Sequence, residues 1–198
     1  MKKLIYSLVI ILFGTFSNLQ AQSEILYFDV IHSGKSIGTL QAEKTVEGNK
    51  THYKSYTDIE FHMFMTIKIE YTYNVTYVDD NLNHAKVHIM LKGHEKTNVR
   101  TEKIPKGYAY FSDEKVDKEF VEEIKHSIEK MFFYEPTDVA KVYAEEHGEF
   151  HDLKVIAPHT YLKTTPNGHK STYYYEGGKL QKSDIDAGVI EFSIVRKN

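Results

Sequence analysis

Residues Thr66 to Tyr77 alternate without interruption. Ile67, Ile69, Tyr71, Tyr73, Val75 and Tyr77 fall on one side, and Thr66, Lys68, Glu70, Thr72, Asn74 and Thr76 on the other. Only an extended chain, whose side chains repeat every two residues, collects such a set on one face. The polar partner face means a sheet with one wet side, which is the habit of antiparallel rather than parallel strands.

Weaker alternations flank this run. Ile25 to Ile31 and Ile37 to Val46 are separated by His32-Ser33-Gly34-Lys35-Ser36, a glycine-containing hairpin loop. Glu47-Gly48-Asn49-Lys50 turns into Thr51 to Phe61, and Asp79-Asp80-Asn81-Leu82-Asn83 turns into Ala85, Val87, Ile89 and Leu91. Lys92-Gly93-His94-Glu95 turns again. Near the C-terminus Pro166-Asn167-Gly168-His169 opens a strand through Tyr173-Tyr174-Tyr175, Glu176-Gly177-Gly178-Lys179 closes that hairpin, and Asp186-Ala187-Gly188 leads into Val189 to Val195. Strands at this spacing predict an antiparallel meander of about ten strands.

One segment follows a different period. From Lys118 to Phe132 the apolar residues are Phe120, Val121, Ile124, Ile128, Met131 and Phe132, a helical spacing. Asp117 could cap such a helix, and Glu119, Glu122 and Glu123 suit its positive start. The expected fold is therefore mostly β (α+β): a single domain over residues 22–198, built as a curved antiparallel sheet or incomplete barrel with one amphipathic helix near 117–132 packed on it. The helix stripe would be about 18 Å long, whereas ten strands span over about 40 Å. One helix cannot cover that face, so the sheet either curls on itself or leaves apolar surface for a ligand.

The first 21 residues read as an address. Met1-Lys2-Lys3 is positive, Leu4 to Phe16 is largely apolar, and Ser17-Asn18-Leu19-Gln20-Ala21 is a polar exit ending on a small residue. This is the order of a secretory signal peptide cleaved after Ala21. The apolar run is shorter than the roughly 20 residues of a membrane span, and no later stretch replaces it. The expectation is an exported, soluble protein of the periplasm or extracellular space, with no transmembrane segment after the signal is removed. With 25 Lys and Arg against 28 Asp and Glu, the chain carries no electrostatic footprint for nucleic acid. Its lack of cysteine excludes disulfides, thiol catalysis and thiolate metal sites.

Catalytic patterns are missing: there is no GxSxG elbow, no phosphate-cradling GxxxxGK[ST] and no dinucleotide GxGxxG. Among 11 histidines, His84 and His88 would stand about 13 Å apart along a strand, too far for one metal. His147 and His151 flank Gly148 beside Glu145, Glu146, Glu149 and Asp152, so a turn could join them. The expectation is no enzyme, no cofactor and no metal, with His147 and His151 the alternative as a metal site. The 15 tyrosines suit a wall that is apolar with a polar tip. The candidate ligand-binding residues are Ile69, Tyr71 and Tyr73 on the long strand and Phe120, Ile124 and Ile128 on the expected helix.

Three segments in order carry a family likeness: Tyr27-Phe28-Asp29-Val30 with Gly34-Lys35-Ser36-Ile37-Gly38-Thr39-Leu40, then Phe132-Phe133-Tyr134-Glu135-Pro136, then Tyr173-Tyr174-Tyr175-Glu176-Gly177-Gly178-Lys179-Leu180. Nearly the whole chain after residue 21 resembles a group of uncharacterised exported proteins from Bacteroidetes, domain of unknown function family 6134. That resemblance assigns no activity and no residue role. A more distant likeness is to periplasmic lipoprotein carriers of the LolA type, in which an incomplete β-barrel holds acyl chains beneath helices. Such carriers have more helix over the sheet than the single segment expected in this chain. The expectation from the uncovered sheet face is a non-enzymatic envelope protein that binds a lipid or other apolar ligand in its concave sheet. The alternative is an interaction or scaffold protein of the envelope with a filled core, whose partner is another envelope protein.

Overall fold

Alternation along nearly every segment produces strands, and two-residue turns join most of them. The computed structural model describes residues 22–62, 65–188 and 190–197. The expected signal peptide at residues 1–21 lies outside the described residues, as does Val189, the expected start of the last strand. The strands are β1 (Gln22–His32), β2 (Lys35–Glu47), β3 (Lys50–His62), β4 (Thr66–Val78), β5 (Asn81–Leu91), β6 (His94–Ile104), β7 (Gly107–Ser112), β8 (Lys115–Phe120), β9 (Lys141–Ala144), β10 (Glu149–Ala157), β11 (Thr160–Thr164), β12 (Lys170–Glu176), β13 (Lys179–Asp186) and β14 (Glu191–Arg196). Several turns hold two residues at positive φ, including Ser33-Gly34, Asp79-Asp80 and Asp113-Glu114. That is the geometry whose twist matches the flanking strands of a tight hairpin.

All fourteen strands form one antiparallel sheet in the order β8-β7-β6-β5-β4-β3-β2-β1-β14-β13-β12-β11-β10-β9. The first and last strands pair in its middle, with Phe28 opposite Arg196 and Ile31 opposite Ser193. Neighbours in sequence are thus neighbours in space everywhere except between β8 and β9, the two edges. The ladder does not close there. Side chains span the gap: the Phe120 and Tyr143 rings stand 5.8 Å apart, Tyr110 donates to the Glu146 carbonyl at 2.7 Å, and Tyr143 and Thr101 share a 2.7 Å hydrogen bond. The fold is the expected antiparallel, mostly β domain, curled but open.

The expected helix at 117–132 is not formed. Lys118, Glu119 and Phe120 pair with Tyr110, Ala109 and Tyr108 as part of β8. The chain then crosses the interior, and only Glu129–Phe132 makes a single 3₁₀ turn. Val121, placed on the helix's apolar stripe, is 81 % exposed. The physical reason lies in where the backbone bonds go. The Leu82 N–H donates to the Ile124 carbonyl, the Tyr143 N–H to the His126 carbonyl, and the Ile128 N–H to the Tyr143 carbonyl. A helix would satisfy these groups internally and strip partners from β5, β7 and β9, so tertiary pairing outweighs the local spacing. Among the described residues no helix is long and apolar enough to cross a membrane.

The crossing segment, residues 121–140, sends its central side chains into the curled sheet while both of its ends stay exposed. Ile124, Met131, Phe132 and Phe133 are buried within the main core, against inward residues such as Phe28, Tyr53, Tyr77 and Tyr175. A smaller cluster of Val87, Ile89, Val99 and Tyr110 lies toward the β5–β7 side.

A candidate ligand cavity

Inward-facing positions on β3 are Tyr53, Ser55, Thr57 and Ile59, each buried and two residues apart. On β11 they are Tyr161 and Lys163, and on β12 Ser171, Tyr173 and Tyr175. Each strand therefore carries an aromatic inward residue at one level and a polar one at another. At the aromatic level Tyr53 packs edge-on to Tyr77 at 5.7 Å and against Phe133 at 5.6 Å, and Tyr161 meets Tyr175 at 5.5 Å. The Tyr175 hydroxyl donates to the Met131 carbonyl at 2.9 Å, which satisfies the polar tip of a buried ring.

At the other level the interior is not filled. A cavity of about 380 Å³ is lined by Ser55, Thr57, Ile59, Lys163, Ser171 and Tyr173 from the strands and by Ile128, Glu129 and Phe132 from the crossing segment. The same crossing segment presents His126, Ser127, Lys130 and Met131 to a separate cleft shared with Tyr53 and Asp80. The crossing segment thus partitions the interior. Volume does not single out the first cavity, since that cleft and a groove beside β13 and β14 each hold about 400 Å³. Its chemistry does, because several buried ionisable groups meet there.

Two are carboxyls. Glu129 accepts a hydrogen bond from the Ser55 hydroxyl at 3.0 Å, and Glu145 accepts one from the Glu129 backbone N–H at 3.2 Å. The second oxygen of each has no hydrogen-bond partner among the described residues. Burial first, then the neighbouring Glu145 charge, pushes the Glu129 carboxyl well above the ordinary range. Burial also raises Glu145, against the hydrogen bonds it accepts. Lys163 is only 8 % exposed. Burial lowers its pKa, against the pull of Glu145 and Glu146.

His147 and His151 meet as the turn allowed, with ring centroids 5.9 Å apart. Gly148 between them has φ +61° and lies so close to the Tyr110 ring that a Cβ would run into it, which fixes how tightly this turn packs across the gap. Burial first, then the Lys163 charge, holds His151 down at about 4, so the ring is neutral near pH 7. Its Nε2–H then donates to Glu149 at 3.3 Å, and Nδ1 has no partner among the described residues. No group of three or more histidine and acidic side chains among the described residues is arranged to hold a metal ion.

Of the candidates chosen from sequence, Tyr71, Tyr73 and Ile128 line this cavity, together with His147 and His151. Tyr73 donates to Glu146 at 3.1 Å. Ile69 packs instead on the smaller β5–β7 cluster. Ile124 is fully buried in the main core, and Phe120 stacks on Tyr108 at the β8 edge, so neither lines the cavity. Sequence reasoning missed Ser55, Glu129, Lys163 and Ser171, and placed Glu145 only as a neighbour of the His147–His151 turn. Lys163 and Ser171 had a readable signal, because they share a strand phase with the inward tyrosines Tyr161 and Tyr173.

A family model described as Domain of unknown function (DUF6134) matches residues 28–197. That range runs from β1 to the end of β14 and contains both the crossing segment and every cavity residue named above. No curated protein and no solved structure matches the chain. The chain belongs to the family described as Domain of unknown function (DUF6134).

Proposed function

We propose that this protein is an exported, non-enzymatic binding protein that holds a small amphipathic molecule in the cavity beside the crossing segment. The observation that carries the reading is the wall itself. Ile59, Phe132, Phe192 and Ile194 supply apolar surface, while Glu129, Glu145 and Lys163 supply buried polar groups in the same cavity. Small-molecule sites have this make-up, a mostly apolar concavity with a few convergent polar groups. A core that served packing alone would gain stability from apolar residues at these positions. The charged start, apolar run and small exit residue at Met1 to Ala21 support export.

The test is titration with a fluorescent fatty acid. Wild type should bind saturably, and Thr57→Trp, which fills the cavity from β3, should abolish uptake while leaving the melting temperature within a few degrees. Equal binding by both proteins would move the ligand elsewhere. A second reading, an envelope scaffold, is supported by Tyr27 and Tyr56, which are 51 % and 44 % exposed and flank Gln41 across β1, β2 and β3 on the outer face. Failure of wild type to bind any apolar probe favours that reading.

A further inference from the structure

Lys163 is the least explained charge in the molecule. It points inward from β11, is more than nine-tenths buried and lines the cavity. Among the described residues no carboxylate lies within 4 Å of its amine, and it makes no hydrogen bond, whereas eleven other lysine or arginine contacts with carboxylates are formed. The amine faces the cavity, drawn only at a distance by Glu145 and Glu146, and an ammonium so poorly hydrated is costly unless a closer partner compensates it.

None of the acidic groups lining the cavity pairs directly with Lys163, although Glu145 and Glu146 attract it from a distance. Glu146 takes the Tyr73 hydroxyl, and Asp186 pairs with His169 at 3.1 Å. Glu129 and Glu145 press on each other in a buried place, which favours at least one proton on the pair. His151 and His147 face the same space, and the unpartnered His151 Nδ1 is an acceptor that can hold a water or hydroxyl but not an anion.

We propose that Lys163 anchors the carboxylate of the bound ligand, whose apolar body lies against Ile59, Phe132 and Ile194. This rests on the binding reading above and names the ligand class within it: a monocarboxylate with a medium-length apolar tail. The volume sets the length. About 380 Å³ accommodates roughly a dozen heavy atoms at ~30 Å³ each, which is the size of decanoate. Ser171, which stands opposite Lys163 in the β11–β12 ladder, lines the same cavity, but only the Lys163 amine carries charge.

The experiment compares three probes with one tail, decanoate, decanol and decylamine, by calorimetric titration of wild type and Lys163→Met near pH 7. Wild type should prefer decanoate to decanol by about tenfold or more, as expected for a charge-assisted contact, and should bind decylamine least. Lys163→Met should level decanoate with decanol while still binding decanol. Decylamine as the tightest ligand would overturn the proposal and make the Glu129–Glu145 pair the anchor. Decanol equal to decanoate in wild type would overturn it and leave the apolar cavity standing. If none of the three binds, the binding reading itself falls. The ranking in wild type decides the matter even if the variant folds poorly.

Discussion

The two ends of the same inner face behave differently. Tyr53, Tyr161 and Tyr175 stand at one end of β3, β11 and β12, where rings interlock with Phe133 and with one another. Ser55, Thr57, Lys163 and Ser171 stand at the other end of those strands and line a cavity. Both sets obey one alternation and are buried alike. Inward phase therefore does not mean core packing. What separates the ends is the crossing segment, which delivers Met131 and Phe133 to one level and Glu129 to the other.

Several substitutions would break or sharpen that contrast. The largest effect is expected at the aromatic end: Phe133→Ala should cost about 3–5 kcal/mol, because it opens a void among fixed rings. Thr57→Ala at the cavity end should cost about 1 kcal/mol or less, since a wall atom facing open volume has fewer neighbours to lose. Urea denaturation of the two variants checks the ratio, and equal costs would erase the distinction between the ends.

Next comes the open seam. Tyr143→Phe removes the hydroxyl that meets Thr101 across the gap and leaves a buried Thr101 hydroxyl unpaired. A loss of about 1–2 kcal/mol should appear in the same assay.

The carboxyl pair gives a pH signature. The folded pKa of Glu129 lies above its ordinary 4.5, so its contribution to stability is fully present below pH 4.5 and is lost as pH rises through the folded value. Glu129→Gln should keep only the smaller dependence that comes from buried Glu145, and the stability of wild type relative to this variant should fall as pH increases. His151 runs the opposite way: held at about 4 against an ordinary 6.5, its contribution is present above pH 6.5 and fades as pH drops toward 4. Both proteins retain His151, so in their difference its share largely cancels. A flat difference would mean that the pair ionises freely.

The smallest effect is expected at Lys163. Lys163→Met removes an unpaired buried charge from a site that an apolar side chain can occupy, so the melting temperature should stay level or rise. A marked fall would show that the amine has a structural partner.

Much of this architecture was legible in the chain, and the reason is local. Thr66 to Tyr77 alternates long enough to define β4, and turns such as Ser33-Gly34 and Gly177-Gly178 supply the positive φ that tight hairpins need. The crossing segment was not legible. Ile124, Ile128 and Met131 reach inward at helix-like intervals, but their spacing reflects a chain threaded between β5 and β9, whose demands lie far away in sequence. The cavity was half legible. Tyr71, Tyr73 and Ile128 were placed by their apolar phase, while Glu129 and Glu145 sit in a turn and just past a strand end, where no periodicity marks them. Lys163 was in phase with Tyr161, yet alternation on one strand does not say which residues of distant strands converge on it.

Native mass spectrometry of the protein recovered under native conditions from the cells that produce it tests the central claim most directly. The account predicts a non-covalent adduct of one small carboxylic acid on wild type and bare protein for Thr57→Trp. Bare wild-type protein, or an adduct that survives filling of the cavity, would contradict it.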